Sequence, residues 1–346
     1  MQTTAAYYIG DKRFSIEQVN SDAPGPGQVQ IDVAYCGICG TDLHVYLGHM
    51  DARIGNHRVI GHEMSGTVSA IGDGVTGFEP GQPVVVRPLD HCGVCPACRR
   101  GHQHICQNLK FLGLDTDGAF QQKWTVPAHT LHHLPEDLPL DHAALIEPLA
   151  VACHDVGRGR VANGEDVLVI GGGPIGMLIA MVARHAGGNV TLSEINENRI
   201  AFARELGFTV INPAEVDAAK IIMDATGDKG ADVIFEVSGS QPGVDLMTAA
   251  AATRARIVMV AIHATKPQVD LFHFFWREIE MFGARVYEPQ DYDEAMALLT
   301  QPGVIDADAM ITDVKGLEDL EGAFAELAGN PRAMKTLIKC NPEAVA

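Results

Sequence analysis

The stretch that most limits what this chain can become is residues 166–185. Residues 167–170, Val-Leu-Val-Ile, form an apolar run suited to a buried strand. Gly171, Gly172, Gly173, Pro174, Ile175 and Gly176 follow, and residues 177–185 read as a helix. Strand, glycine-rich turn and helix in this order open a βαβ unit that binds a dinucleotide. The glycines tighten the turn, let a pyrophosphate approach the backbone, and place it at the positive end of a helix. A second expected strand, 189–192, leads to Glu194. A carboxylate at that distance can accept both ribose hydroxyls of NAD and repels the 2′-phosphate of NADP. Arg199 could face either cofactor. Further strands are expected at 231–237, 255–262 and 281–286, so this part of the chain is an alternating α/β domain with a parallel sheet.

The chain has 346 residues, more than one ordinary core, and two domains are expected. Residues before about 150 are rich in Gly, Pro and β-branched types. Strands are expected at 29–34, 66–71 and 82–88, separated by turns such as Pro24-Gly25-Pro26-Gly27 and Glu79-Pro80-Gly81. This is the pattern of a small, irregular β-barrel with long loops. The remainder, with residues 291–300 and 317–327 and a final strand at 336–339, returns to that first domain. The expected boundaries are 1–150, 151–287 and 288–346.

One loop of the first domain, 91–106, carries Cys92, Cys95, Cys98 and Cys106. Four thiolates close a tetrahedral shell around zinc and leave no place for water, so this is a structural site; the spacing does not match common iron–sulfur runs. His91, His102 and His104 read as bystanders on a solvated loop. A second constellation lies in 35–63, where Cys39, His62 and Glu63 offer thiolate, imidazole and carboxylate. Each alone is better explained by burial in a core. Together, beside the other motifs, they suit an open, catalytic zinc with about three protein ligands. Thr41 and His44 could carry a proton from the metal's surroundings to solvent. Glu147, a lone acid in the apolar run 143–154, is a candidate fourth ligand, directly or through water. The alternative is an acid in the first turn of a helix, favoured by the dipole.

The formal net charge of -19 argues against nucleic acid or an anionic membrane as partner. The N-terminal residues lack the apolar core of a signal peptide. The most apolar run, 167–183, is short for a membrane span and is broken by glycines and Pro174. With four of the eight cysteines at metal spacing, a reduced, cytoplasmic setting is expected.

Taken together, C-G-I-C-G-T-D-L-H (36–44), G-H-E (61–63), the four-cysteine loop, F-L-G-L (111–114), L-I-E-P-L-A-V-A-C-H (145–154) and G-G-G-P-I-G (171–176) resemble the zinc-containing medium-chain dehydrogenase/reductase superfamily. The resemblance spans essentially the whole chain. It is nearest the polyol branch, with butanediol, sorbitol and threonine dehydrogenases. It implies a GroES-like β-barrel catalytic domain, interrupted by a Rossmann doubly wound parallel-sheet coenzyme domain, with the active site in the cleft between them. By position, Cys39, His62, Glu63 and Glu147 would surround the catalytic zinc, with Asp42 supporting them. Gly171, Gly173, Pro174, Ile175, Gly176, Glu194, Arg199, Val260, Ala261, Ile262, Ala284, Arg285 and Val286 would meet NAD.

The activity implied is NAD-dependent oxidation of a secondary alcohol, a vicinal diol or polyol. Two zincs per chain, one catalytic and one structural, would serve it. The proton would leave through Thr41, the nicotinamide ribose and His44. Val45 and Val286 stand where sorbitol dehydrogenases carry Tyr and Arg, which favours a smaller or less hydroxylated diol. Ala261 replaces a usual Gly, and Glu194 a usual Asp. The alternatives are an L-threonine 3-dehydrogenase and, in another class, a non-catalytic zinc protein that senses NAD. Relatives form dimers or tetramers, so a homo-oligomer is expected.

Overall fold

The computed structural model describes residues 2–329 and 333–345. Contacts divide the chain into two units. One holds residues up to Glu147, Glu288–Thr300 and the chain from Asp306; the other holds Pro148–Tyr287 and Gln301–Ile305.

The second unit is built on six parallel strands. Their spatial order is Thr209–Ile211, Asn189–Ser193, Asp166–Ile170, Ala231–Glu236, Ala251–Met259, Glu280–Gly283. Asp166–Ile170 and Ala231–Glu236 are buried along nearly their whole length, which explains their continuous apolar runs. On one face Leu168, Ile170, Ile234 and Ile257 pack against Ile222, Val244 and Met247 from helices. Cutting one such Leu or Ile to Ala costs about 2–5 kcal/mol. From Asp166–Ile170 the chain moves first to one side of the sheet and later to the other. That puts a crevice beyond the carboxyl end of this strand, the usual ligand position of such sheets. Thr209–Ile211 was not expected, because three residues are too few to show a pattern. The last strand ends at Gly283, short of 286. Val286 adopts φ 49°, a left-handed conformation that no strand continues through.

In the first unit, Gln28–Gly37 is the central strand. It pairs antiparallel with Glu63–Ile71, with Lys123–Pro127 and, at its end, with Lys335–Lys339. The sheet continues through Pro83–Val86 to Leu131–His133 on one side and through Lys335–Lys339 to Ile311–Gly316 on the other. A second sheet sets Gln2–Tyr8 between Phe14–Asn20 and Arg58–Val59. Thus a strand from the far end of the chain lies beside one of the earliest. Among the described residues no helix is long and apolar enough to cross a membrane.

Candidate active site

Helix Gly40–Tyr46 starts at Cys39, whose sulfur takes the capping position and accepts from Thr41 N at 3.5 Å. Asp42 closes the cap by accepting from Cys39 N at 3.0 Å. Its other carboxylate oxygen lies 3.5 Å from His62 Nδ1. Asp42 is fully buried, so one carboxylate fixes both the turn that carries the cysteine and the ring of the histidine. With Nδ1 facing Asp42, Nε2 is the nitrogen left to His62 for another partner. The edge of the Phe111 ring closes over that imidazole, with centroids 5.1 Å apart at 87°. Glu63 opens the strand Glu63–Ile71. Ligand atoms of Cys39, His62 and Glu63 all lie within 4.8 Å of one another.

Burial works against charge on His62, but the Asp42 carboxylate and the Cys39 sulfur outweigh it and hold the imidazole well above its usual pKa. The centre of the cluster is therefore a place where positive charge is favoured. Thiolate, imidazole and carboxylate, the last two buried, are a donor set that suits zinc.

Lys335, which the sequence reading missed, completes this cluster. Its Nζ lies 2.6 Å from Glu63 Oε2 and 3.3 Å from the Ile38 carbonyl, at 3% exposure. Burial disfavours the ammonium, yet Glu63, then Cys39 and Glu147, raise its pKa. The sheet register explains how the pair forms. Gly37 stands between Glu63 on one neighbouring strand and Leu337 on the other. A Cβ on Gly37 would come 2.4 Å from Glu63 Oε2 and 3.3 Å from Lys335 Cδ, so the ion pair crosses above a residue that must have no side chain.

Glu147 is the second residue of helix Ile146–Gly159 and is buried. It lies outside the group of three ligand atoms and acts on Lys335 through charge. Thr41 and His44 stand one turn apart on the same side of their helix.

The four cysteines of loop 91–106 form the second cluster. Cys95 Sγ is 3.5 Å from Cys98 Sγ and 3.8 Å from Cys106 Sγ, and Cys106 Sγ is 3.5 Å from Cys92 Sγ. These separations are too long for disulfides. They are close to the edge of a tetrahedron with Zn–S bonds of about 2.3 Å, which is about 3.8 Å. Backbone N–H groups of Cys92, Cys98, Gln107 and Asn108 point at the sulfurs at 3.3–3.5 Å. The N–H groups of Cys98 and Gln107 bring the Cys95 thiol down to about 6, while burial and the neighbouring sulfurs push Cys98 up to about 12. Four thiols so close cannot all ionise without a cation, and zinc fits them. His104, expected to be a solvated bystander, is instead buried, with Nδ1 3.3 Å from Glu288; the return of the chain at Glu288 covers it. His102 is exposed, as expected.

In the other unit the residues expected to meet NAD follow the carboxyl ends of the parallel strands. Gly173 caps helix Pro174–His185, and Pro174 takes its first position, where no N–H is needed. Glu194 accepts three backbone hydrogen bonds, from Gly172 N at 2.7 Å, Ile195 N at 2.7 Å and Asn196 N at 2.8 Å. It thus ties the glycine turn to the next strand, and a carboxylate offering about four acceptor sites keeps about one for a ligand. Arg199 lies 3.9 Å from Glu194 and alongside Gly173. Val260, Ala261 and Ile262 follow Ala251–Met259, next to the loop at Gly239. Ala284, Arg285 and Val286 follow the edge strand. Sequence reasoning missed Glu236 and His263 here. Glu236 is fully buried, accepts from Ser238 N and Gly239 N at 3.0 and 3.1 Å, and lies 3.1 Å from His263 Nε2. The acid at the end of an apolar strand was the available signal.

The family described as "Alcohol dehydrogenase GroES-like domain" matches residues 25–136, and "Zinc-binding dehydrogenase" matches residues 174–301. A protein of Pseudoalteromonas atlantica named 2-dehydro-3-deoxy-L-galactonate 5-dehydrogenase is 54% identical over 339 residues, covering 98% of this chain and 99% of the relative. An L-threonine 3-dehydrogenase of Pyrococcus horikoshii is 36% identical over 89% of this chain and 90% of its own. The crystal structure of 2R,3R-butanediol dehydrogenase from Bacillus subtilis superposes with a TM-score of 0.90 at 29% identity, covering 98% of this chain and all of that one.

Proposed function

The chain belongs to the zinc-binding alcohol dehydrogenase family, in its polyol branch, and on that premise we propose that it oxidises one secondary hydroxyl of a polyhydroxylated acid, using NAD. The observation that carries this reading is the trio of half-buried Cys39 and buried His62 and Glu63, set against Lys335. Cys39, His62 and Glu63 hold the catalytic zinc, and Glu147 joins them directly or through water. A zinc ion there supplies Lewis-acid chemistry that acidifies the substrate hydroxyl. Asp42 orients His62, as a carboxylate behind a ligating imidazole does. Thr41 and His44 take the released proton outward. Cys92, Cys95, Cys98 and Cys106 hold a second, structural zinc.

The substrate class follows the relative at 54% identity, whose name describes oxidation at one hydroxyl of a deoxy-sugar acid. The rival within the class is L-threonine, favoured by the relative at 36%. Following NADH formation with 2-dehydro-3-deoxy-galactonate, a panel of diols and polyols, and threonine separates them. Turnover confined to threonine would overturn the choice, and no turnover of any alcohol would favour the non-catalytic alternative.

NAD is the coenzyme because Glu194 presents negative charge where NADP carries a phosphate. Arg199, held 3.9 Å from that carboxylate, offsets it only in part. Wild type is expected to prefer NAD strongly. Glu194→Ser is expected to narrow the NAD-to-NADP ratio of kcat/KM by roughly ten- to a hundredfold, the scale of a hydrogen bond to a charged group. Because three backbone N–H groups also lose their acceptor, NAD should weaken in absolute terms as well. Equal use of both coenzymes by the wild type would refute the assignment.

A cytoplasmic setting, in which unpaired cysteines stay reduced, is part of this reading. The protein works as a homo-oligomer. Supporting this, helix Leu271–Arg277 exposes Leu271, Phe272, Phe275 and Trp276 together. Sedimentation showing only a monomer at micromolar concentration would exclude it.

A further inference from the structure

We propose that His49 is a second proton carrier, taking from His44 the proton that leaves the active site; this rests on reading His44 as the outward end of the path from Thr41. Helix Gly40–Tyr46 ends at Leu47, and the chain turns out of it through Gly48 at φ +81°. Gly48 N donates to Val45 O at 2.9 Å and His49 N to His44 O at 3.0 Å. Those two bonds define a Schellman motif, which stacks the residue after the left-handed glycine over the residue one turn before the helix end. The two stacked positions ordinarily carry apolar side chains in contact. Here both are histidines.

Their rings sit 5.5 Å apart at 39°, and Nδ1 of His44 lies 3.2 Å from Nδ1 of His49. Two imidazole nitrogens at that distance share one proton: one ring donates and the other accepts. Both side chains are exposed at the C-terminal end of the helix, where water can reach them.

The transfer balances with N–H bonds alone. His44, carrying its proton on Nδ1, accepts the arriving proton on Nε2. The Nδ1–H bond then breaks, and the proton forms a new N–H bond on His49 Nδ1. His49 releases its Nε2 proton to water. Proton exchange between the exposed rings and water, which takes a proton from one ring nitrogen and returns one to the other, restores the first tautomers. No electrons are transferred, and no reagent beyond water and the two rings is needed.

The test is made on the zinc-loaded protein, with proton release followed by an indicator dye in the transient phase, beside NADH formation. His49→Leu keeps the apolar contact usual in this motif but cannot accept a proton. It is expected to slow proton release about tenfold in dilute buffer, below the full effect of a positioned acid or base. KM for the alcohol and the melting temperature should not change, and imidazole in the buffer should restore the rate. His44→Ala is expected to be slower still, and adding His49→Leu to it should change nothing further, because the two act in series. His49→Leu releasing protons at the wild-type rate, while His44→Ala is slow, would overturn the proposal and spare the role of His44. Equal rates for His44→Ala and wild type would overturn the reading of His44, and the proposal with it. Losses that multiply in the double variant, or that imidazole leaves unrepaired, would show independent action and also overturn it.

Discussion

The cysteine loop and the Cys39 cluster offer metal ligands in opposite ways. In the loop, all four donors are sulfurs drawn from fifteen consecutive residues, and the backbone itself points N–H groups at them. Nothing in it has to come from elsewhere in the chain, and four sulfurs leave no coordination position over. In the cluster, three different donors come from the start of a helix and the start of a strand. A carboxylate behind the histidine and a lysine beside the glutamate hold them in place. A site braced from outside can tolerate an incomplete ligand shell, because its shape does not depend on the ion closing it. Among the described residues the hydrogen bonds to the loop's sulfurs come from the loop and the residues just after it, so its shape and its ion are more closely tied.

The sharpest way to break this comparison is Cys39→Ser. It should remove one zinc per chain and lower turnover by about three orders of magnitude or more, the worth of several kcal/mol of charge stabilisation. Circular dichroism and melting should stay near wild type. Retention of both ions by this variant would show that Cys39 is not a ligand. Cys95→Ser is the complementary change. It should remove the other ion and lower stability by several kcal/mol, because binding energy at such a loop is folding energy. Molecules that remain folded should turn over nearly as before. If both variants lost stability and turnover alike, the distinction between the sites would fail.

Lys335→Met probes the bracing itself. Breaking a buried ion pair from one side costs about 3–5 kcal/mol, so the zinc-free variant should be less stable by that amount in urea. Zinc bound at Cys39, His62 and Glu63 supplies the missing positive charge and should recover much of the loss. The same loss with and without zinc would separate Lys335 from the metal site.

What could be read from the sequence follows distance along the chain. The cysteine loop and the glycine turn show themselves because their chemistry lies within a few residues, and spacing alone carries it. Cys39, His62 and Glu63 needed the other motifs beside them to stand out. Lys335 was invisible, since it lies 272 residues from its partner and reaches it only through the pairing of Lys335–Lys339 with Gln28–Gly37. His104 was misjudged for the same reason: its cover, Glu288, arrives from a later segment. Glu194 was found by its distance from the glycine turn, but its three backbone hydrogen bonds depend on two strand ends meeting. Schellman contact between His44 and His49 is local, and the H-V-Y-L-G-H spacing could have disclosed it.

The late strand Lys335–Lys339 also sets an order of events during translation. Pro148–Tyr287 is nearly all of one unit, so that unit has almost its whole sequence once this segment has left the ribosome. The unit bearing Glu63 does not. Its central strand waits for a neighbour, and Glu63 for a counter-charge, until 272 more residues have been made. At roughly 5–20 residues per second, that is a wait of roughly 15–50 s. Through that interval a nascent chain can display the cysteine loop, complete in itself, while the Cys39 cluster still lacks Lys335. The emerging polypeptide can therefore take up its structural ion early, and the centre proposed for chemistry acquires its finished surroundings only as synthesis nears its end.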